Sequence, residues 1–131
     1  MKFAFLYRIS YFCAVKEGKI LRELYFSDEF WTFYQLQQDR VKQKFDYVIS
    51  IIRSEEIITT RFVKHLQGTE LYEMRVSLGT NEYRTVLFAT DNPNIMLASK
   101  ILVLNAFLKR SSKDYEKQIR KAIKILGGFQ L

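Results

Sequence analysis

The chain has 131 residues, 48% hydrophobic and 15% aromatic, enough for one domain with a buried core and too few for two independent cores. That composition excludes general disorder, and a single proline with five glycines leaves little room for linkers. Twenty-one Lys and Arg against 14 Asp and Glu give a formal net charge of +7, which favours an anionic partner.

The first apolar run, MKFAFLYRISYFCAV, is split by Arg8 into pieces short for a secretion signal and far short of a membrane-spanning helix. It reads as a short extra strand or an extension. Its single cysteine, Cys13, forms no internal disulfide, and no CxxC or histidine cluster offers metal ligands, so a reducing cytoplasm is the expected compartment. Ile20 to Phe26 reads as a strand with Leu24 and Phe26 on one side and Glu23 and Tyr25 on the other. Ser27 then caps a helix with Asp28 and Glu29 in its first turn and Phe30, Phe33 and Tyr34 as its buried stripe. After a break near Asp39, Val41, Phe45, Val48 and Ile52 recur at helical spacing and complete a helical hairpin.

Beyond Gly68 the period becomes strand-like. In Leu71 to Val76, Tyr72, Met74 and Val76 face a core while Glu73 and Arg75 share the opposite face. Leu78-Gly79-Thr80-Asn81 is turn chemistry, and Tyr83 to Ala89 returns as the partner strand. After the turn Asp91-Asn92-Pro93-Asn94, the apolar run Ile95 to Phe107 reads as a central strand with an irregular entry around Ala98 to Lys100. Ser111 and Asp114 open a last helix with Tyr115, Ile119, Ala122, Ile123 and Leu126 as its apolar stripe, ended by Gly127-Gly128. The order of strand, two helices, three strands and helix implies an α+β domain, a small antiparallel sheet with the hairpin on one face. The other face is then left for function, with Arg75 and Arg84 on it.

The inventory rules out several chemistries. One histidine, His65, cannot supply the acid and base pair of many metal-free ribonucleases, and neither GxxxxGK[ST] nor GxGxxG is present. What remains is cations with aromatics among them. The charge excess sits late in the chain, net +1 over residues 1–60 against net +6 over residues 100–124. If the three strands are adjacent, Arg75, Arg84 and the segment Lys109 to Tyr115 converge on one side. Guanidinium groups bind phosphate oxygens in pairs, and a tyrosine face stacks a base at roughly 1–3 kcal/mol, so such a surface suits single-stranded RNA.

Four blocks in order carry a family resemblance: Phe62 to Thr69, Leu71 to Val76, Tyr83 to Phe88, and Asn105 to Arg110 followed by a tyrosine-bearing helix. Together they resemble the RelE/ParE superfamily of type II toxins, especially its phage-derived, HigB-like branch. The resemblance runs from about Arg22 to Leu126, so residues 1–18 are expected to be an extension and 19–131 the toxin domain. It implies a small twisted antiparallel sheet packed with helices, and a metal-independent endoribonuclease that needs no cofactor. It also implies cleavage of mRNA in the ribosomal A site, the substrate 2′-hydroxyl attacking its own adjacent phosphate. The protein would be cytoplasmic, off the membrane, and neutralised by a cognate antitoxin.

Carried across by position, the implied catalytic set is Arg75, Arg84, Lys109 and Tyr115. Glu73 stands where RelE has a second lysine, which leaves the general base open. Crowding among cations would lower the pKa of a lysine such as Lys109 and make its amine available as base. Lys64, His65, Arg110, Lys113, Lys117, Arg120, Lys121 and Lys124 are the implied RNA contacts. The helical lysines and Arg120 are equally the wet face of an amphipathic helix opposite Ile119, Ile123 and Leu126, and Tyr115 falls on the apolar stripe. Two rival readings stay open: a ParE-like inhibitor of gyrase without nuclease activity, and an inactive antitoxin-binding module. Lys109 and Tyr115 argue for the nuclease.

Overall fold

The computed structural model describes Phe3–Ala4 and residues 20–128. The elements are β1 (Phe3–Ala4), β2 (Glu23–Ser27), α1 (Asp28–Gln35), α2 (Asp39–Ser54), β3 (Val63–His65), β4 (Leu71–Leu78), β5 (Asn81–Ala89), β6 (Lys100–Leu108) and α3 (Ser112–Gly127). The α+β class, the helical hairpin, the three-strand run and the last helix are all as expected. Cys13 and most of the expected extension lie outside the described residues, while the backbone of Phe3–Ala4 pairs antiparallel with Phe26 and Ser27.

Local chemistry explains the boundaries. The Ser27 hydroxyl accepts from the Phe30 amide at 3.0 Å, capping α1 over Asp28 and Glu29, and Ser111 does the same for α3 through the Asp114 amide at 3.1 Å. Gly79, at φ 62°, takes the left-handed first position of the two-residue turn that joins β4 to β5. The run from Ile95 to Ser99 is not strand. Asp91, Asn92 and Asn94 side chains accept from the amides of Ser99, Asn94 and Met96, folding that segment into a loop, and β6 begins only at Lys100.

The strands form one sheet in the order β1-β2-β6-β5-β4-β3. Pairing is antiparallel from β4 through β6, as expected; β3, a strand the sequence does not suggest, adds antiparallel to β4, and β2 runs parallel to β6, with Glu23 opposite Lys100 and Phe26 opposite Val103. A parallel neighbour needs a crossover between the two strands, and here the hairpin begins it. One face of the sheet buries Leu24, Phe26, Met74, Val76, Tyr83 and Leu87 against α1 and α2. The other buries Leu71, Val86, Leu102 and Leu104 against Ala122 and Ile125 of α3. The second face is therefore only partly open, and α3 seals the rest. On α3 itself Ile125 is buried while Ile123, expected on the stripe, is 53% exposed.

Between Thr85 and Leu87 of β5 the register against β6 slips, from Ala106 to Val103, so β6 carries one extra residue at Leu104-Asn105. Such a bulge inverts the alternation beyond it. Ile101 and Val103 face the hairpin before the bulge and Ala106 after it, whereas Leu102, Leu104 and Phe107 face α3. The Asn105 amide nitrogen donates to the Gln118 backbone oxygen of α3 at 3.1 Å, and the Ser27 hydroxyl donates to the Leu104 carbonyl.

Arg22, just before β2, is 1% exposed and pairs with no carboxylate among the described residues. Its guanidinium donates instead to the carbonyls of Ile52 in the last turn of α2, Glu55 and Glu56 just after it, and Ile95 and Met96 before β6, at 2.6–3.1 Å. All five of its N–H groups are used, and burial lowers its pKa. Arg22→Lys, with three donors at most, should lose about 3 kcal/mol or more of unfolding free energy in urea. A loss below about 1 kcal/mol would show that the clamp is dispensable.

Candidate functional site

The face of the sheet that carries α3 brings the expected residues to one end. Arg75 of β4 lies directly opposite Arg84 of β5, and Arg84 directly opposite Phe107 of β6, so the three form a row across adjacent strands. Two stacked guanidiniums repel, and the carboxylate of Glu73, two residues before Arg75 on the same face, is placed to offset that. Its Oε1 lies 3.2 Å from Arg75 Nε and 3.8 Å from Arg84 Nε. Arg84 also donates through Nη1 to Glu82 at 3.3 Å and to the Tyr83 carbonyl at 3.0 Å. Ser77 donates to Glu82 as well, and these contacts hold the Glu82 carboxyl below the usual range.

The Tyr115 hydroxyl, reaching over from the first turns of α3, donates to Glu73 Oε2. Its ring meets Phe107 edge-on at 5.8 Å. Tyr115 is thus both the core tyrosine and the site tyrosine of the two sequence readings. Burial, and then the bond to Glu73, push its hydroxyl well above the ordinary tyrosine value, so it stays protonated. Beside it, Glu73, Lys109, Arg110, Ser111, Tyr115 and Glu116 line a depression of about 300 Å³. Lys109 is held there by its amide, which donates to the Glu82 carbonyl at 2.7 Å.

Arg75, Arg84, Lys109, Arg110 and Tyr115 are therefore together. Lys64 joins their edge, directly opposite Glu73 on β3. His65 does not: the alternation of β3 turns it to the opposite face, where its ring lies 5.0 Å from Tyr72 and its Nε2 bonds the Thr69 carbonyl at 2.7 Å. Lys113, Lys117, Arg120, Lys121 and Lys124 are all exposed along the outer side of α3, leading away from the depression.

Two expectations change. Carboxylates of Glu73 and Glu116 stand beside Lys109 and Arg110, so the charges of this pocket are mixed rather than wholly cationic. The Arg84 side chain is only 6% exposed, against 29% for Arg75, so Arg75 is the more open of the two arginines. The group to which the sequence reading gave no role is Glu73, which there departs from a lysine. Its signal was a lone acid sharing a strand face with arginine. Among the described residues no group of three His, Cys, Asp or Glu side chains could hold a metal ion, and no helix is long and apolar enough to cross a membrane.

A family model, Phage derived protein Gp49-like (DUF891), matches residues 33–126. The chain belongs to the Gp49-like family. That family sits in the clan of RelE/HigB-like toxins of toxin–antitoxin systems, is generally associated with endoribonuclease toxins, and implies an antitoxin partner. No curated protein matches the chain, and no solved structure does. The matched span starts inside α1 and takes in β3 to β6 and nearly all of α3, so every residue of the depression lies within it.

Because the folded protein holds the Tyr115 proton more tightly than the unfolded chain, the contact contributes fully below pH 10.0, the ordinary tyrosine value, and is lost as the pH climbs through the higher folded value. Unfolding free energy in urea should fall more steeply above pH 10.0 for the wild type than for Tyr115→Phe. Equal slopes would contradict the contact.

Proposed function

We propose that this Gp49-like protein is a toxin that cuts mRNA on the ribosome by metal-independent transesterification, with an antitoxin as its partner in the cytoplasm. The observation that carries the reading is the Glu73 carboxylate, 5% exposed, gripped by Arg75, Arg84 and Tyr115 at the back of a depression edged by Lys109 and Arg110. A buried carboxylate beside cations is what a 2′-hydroxyl needs: a proton acceptor next to groups that attract its phosphate.

In this mechanism the 2′-oxygen attacks the adjacent phosphorus and its proton passes to Glu73. Arg75 takes up the charge growing on the non-bridging oxygens. The bond from phosphorus to the 5′-oxygen breaks, and that oxygen receives a proton from the Lys109 ammonium. The products are a 2′,3′-cyclic phosphate and a 5′-hydroxyl end. Arg84 acts through Glu73, fixing the carboxylate, and the protonated Tyr115 hydroxyl orients it from the other side. Lys113, Lys117, Arg120, Lys121 and Lys124 extend the positive surface towards ribosomal RNA, and Lys64 flanks the mouth. His65 has no role in this scheme.

The test is cleavage of a reporter mRNA in a translation extract, with the ends of the fragments analysed. The wild type should give cyclic phosphate and 5′-hydroxyl ends, and Glu73→Gln should cut about 10²–10⁴-fold more slowly. Arg75→Ala should also be slow while keeping its fold. Intact mRNA with blocked gyrase supercoiling would overturn the reading in favour of the gyrase inhibitor, and undiminished cutting by Glu73→Gln would remove the carboxylate from the mechanism.

A further inference from the structure

A second cationic surface lies on the opposite side of β4, against α2. Arg40, Lys44 and Tyr47 recur at spacings of four and three along α2, so they form one exposed stripe. Like charges four residues apart, about 5–6 Å between their Cβ atoms, weaken a helix and do nothing for this one internally. Arg61 approaches from the segment before β3, its guanidinium over the Phe62 ring at 5.4 Å, and Phe62 meets Tyr47 edge-on at 6.1 Å. Two depressions of about 360 and 120 Å³ share Lys44 and Tyr47 and so join into one groove, which reaches Arg75 at its far end.

Three features give this groove a ligand class. No Asp or Glu lines either depression, and among the described residues Arg40, Lys44 and Arg61 make no ion pair, in contrast to the compensated pocket around Glu73. Tyr47 is 56% exposed, an aromatic face among cations. Arg75 belongs to both places: its side chain is bonded to Glu73 and also lines the groove, while its amide donates to the Phe62 carbonyl at 2.7 Å, which sets it beside Arg61 and Phe62. We infer that the groove binds the backbone of single-stranded RNA that continues from the cut phosphate past Arg75, with a base stacked on Tyr47 and phosphates on Arg40, Lys44 and Arg61. The identity of the strand rests on the nuclease reading, but the binding does not.

The experiment uses a labelled 12-nucleotide RNA and a 3-nucleotide version, both 2′-O-methylated so that neither can be cut, titrated by fluorescence anisotropy at several salt concentrations. Arg40→Ala/Lys44→Ala/Arg61→Ala should bind the 12-mer at least about tenfold more weakly, with a salt slope shallower by about 2, and the 3-mer as the wild type does. Tyr47→Ala should weaken the 12-mer without changing the slope. Unchanged affinity and slope in a triple variant that melts like the wild type would overturn the inference. So would a triple variant that keeps RNA binding and instead escapes its antitoxin, which would make the groove a protein site. If the groove variants lose the 12-mer while wild type leaves reporter mRNA intact, the groove stands and the nuclease reading falls.

Discussion

One additional residue in the middle of β6 decides how the two halves of this molecule meet. Without it, strict alternation would send Phe107 to the hairpin side and Ala106 to α3. With it, the small residue sits under the hairpin, and the aromatic ring supports Tyr115. Asn105 and Ser27 take hold of the bulge from its two flanks, one tying it to α3 and the other anchoring the start of α1 to the Leu104 carbonyl. The sheet is thereby fixed to helices on both faces at one point, and the position of the tyrosine follows from packing rather than from its own loop.

Electrostatically the site is a knot in which each charge answers another. Two arginines face one another on neighbouring strands because a carboxylate sits between their reach, and that carboxylate can be buried because two donors, Arg75 and Tyr115, bond it and the Arg84 guanidinium lies within ion-pair distance. Removing a buried member leaves the others uncompensated, so at Glu73 and Arg84 an alanine substitution changes packing and charge together. This is why conservative changes, which keep shape and alter only proton affinity or donor count, are the informative ones here.

Much of this was legible beforehand. Alternation in Leu71 to Val76 put Glu73 and Arg75 on one face, caps at Ser27 and Ser111 marked helix starts, and the hairpin turn at Gly79 set strand adjacency, which is what brings Arg75 to Arg84. The parallel pairing of β2 with β6 was not, since strand direction in a sheet depends on how the connection folds back and leaves no local mark. Ile95 to Ser99 misled because a short apolar run looks the same in a strand and in a buried loop. Ile123 and Ile125 exchanged places because a two-residue difference rotates a helix face by more than half a turn. Nothing in the sequence marks Arg22 as a clamp, because its acceptors are carbonyls, to which any sequence is blind.

The Arg22 clamp spans up to 74 residues, Ser27 reaches Leu104 across 77, and Tyr115 reaches back 42 to Glu73. Contacts this distant close only when both ends of the chain exist. While the protein is being made, Glu73 emerges before the tyrosine that completes the grip on it, and β2 lacks its parallel neighbour until β6 follows it out. Assembly of the depression thus waits until α3 can dock on the sheet.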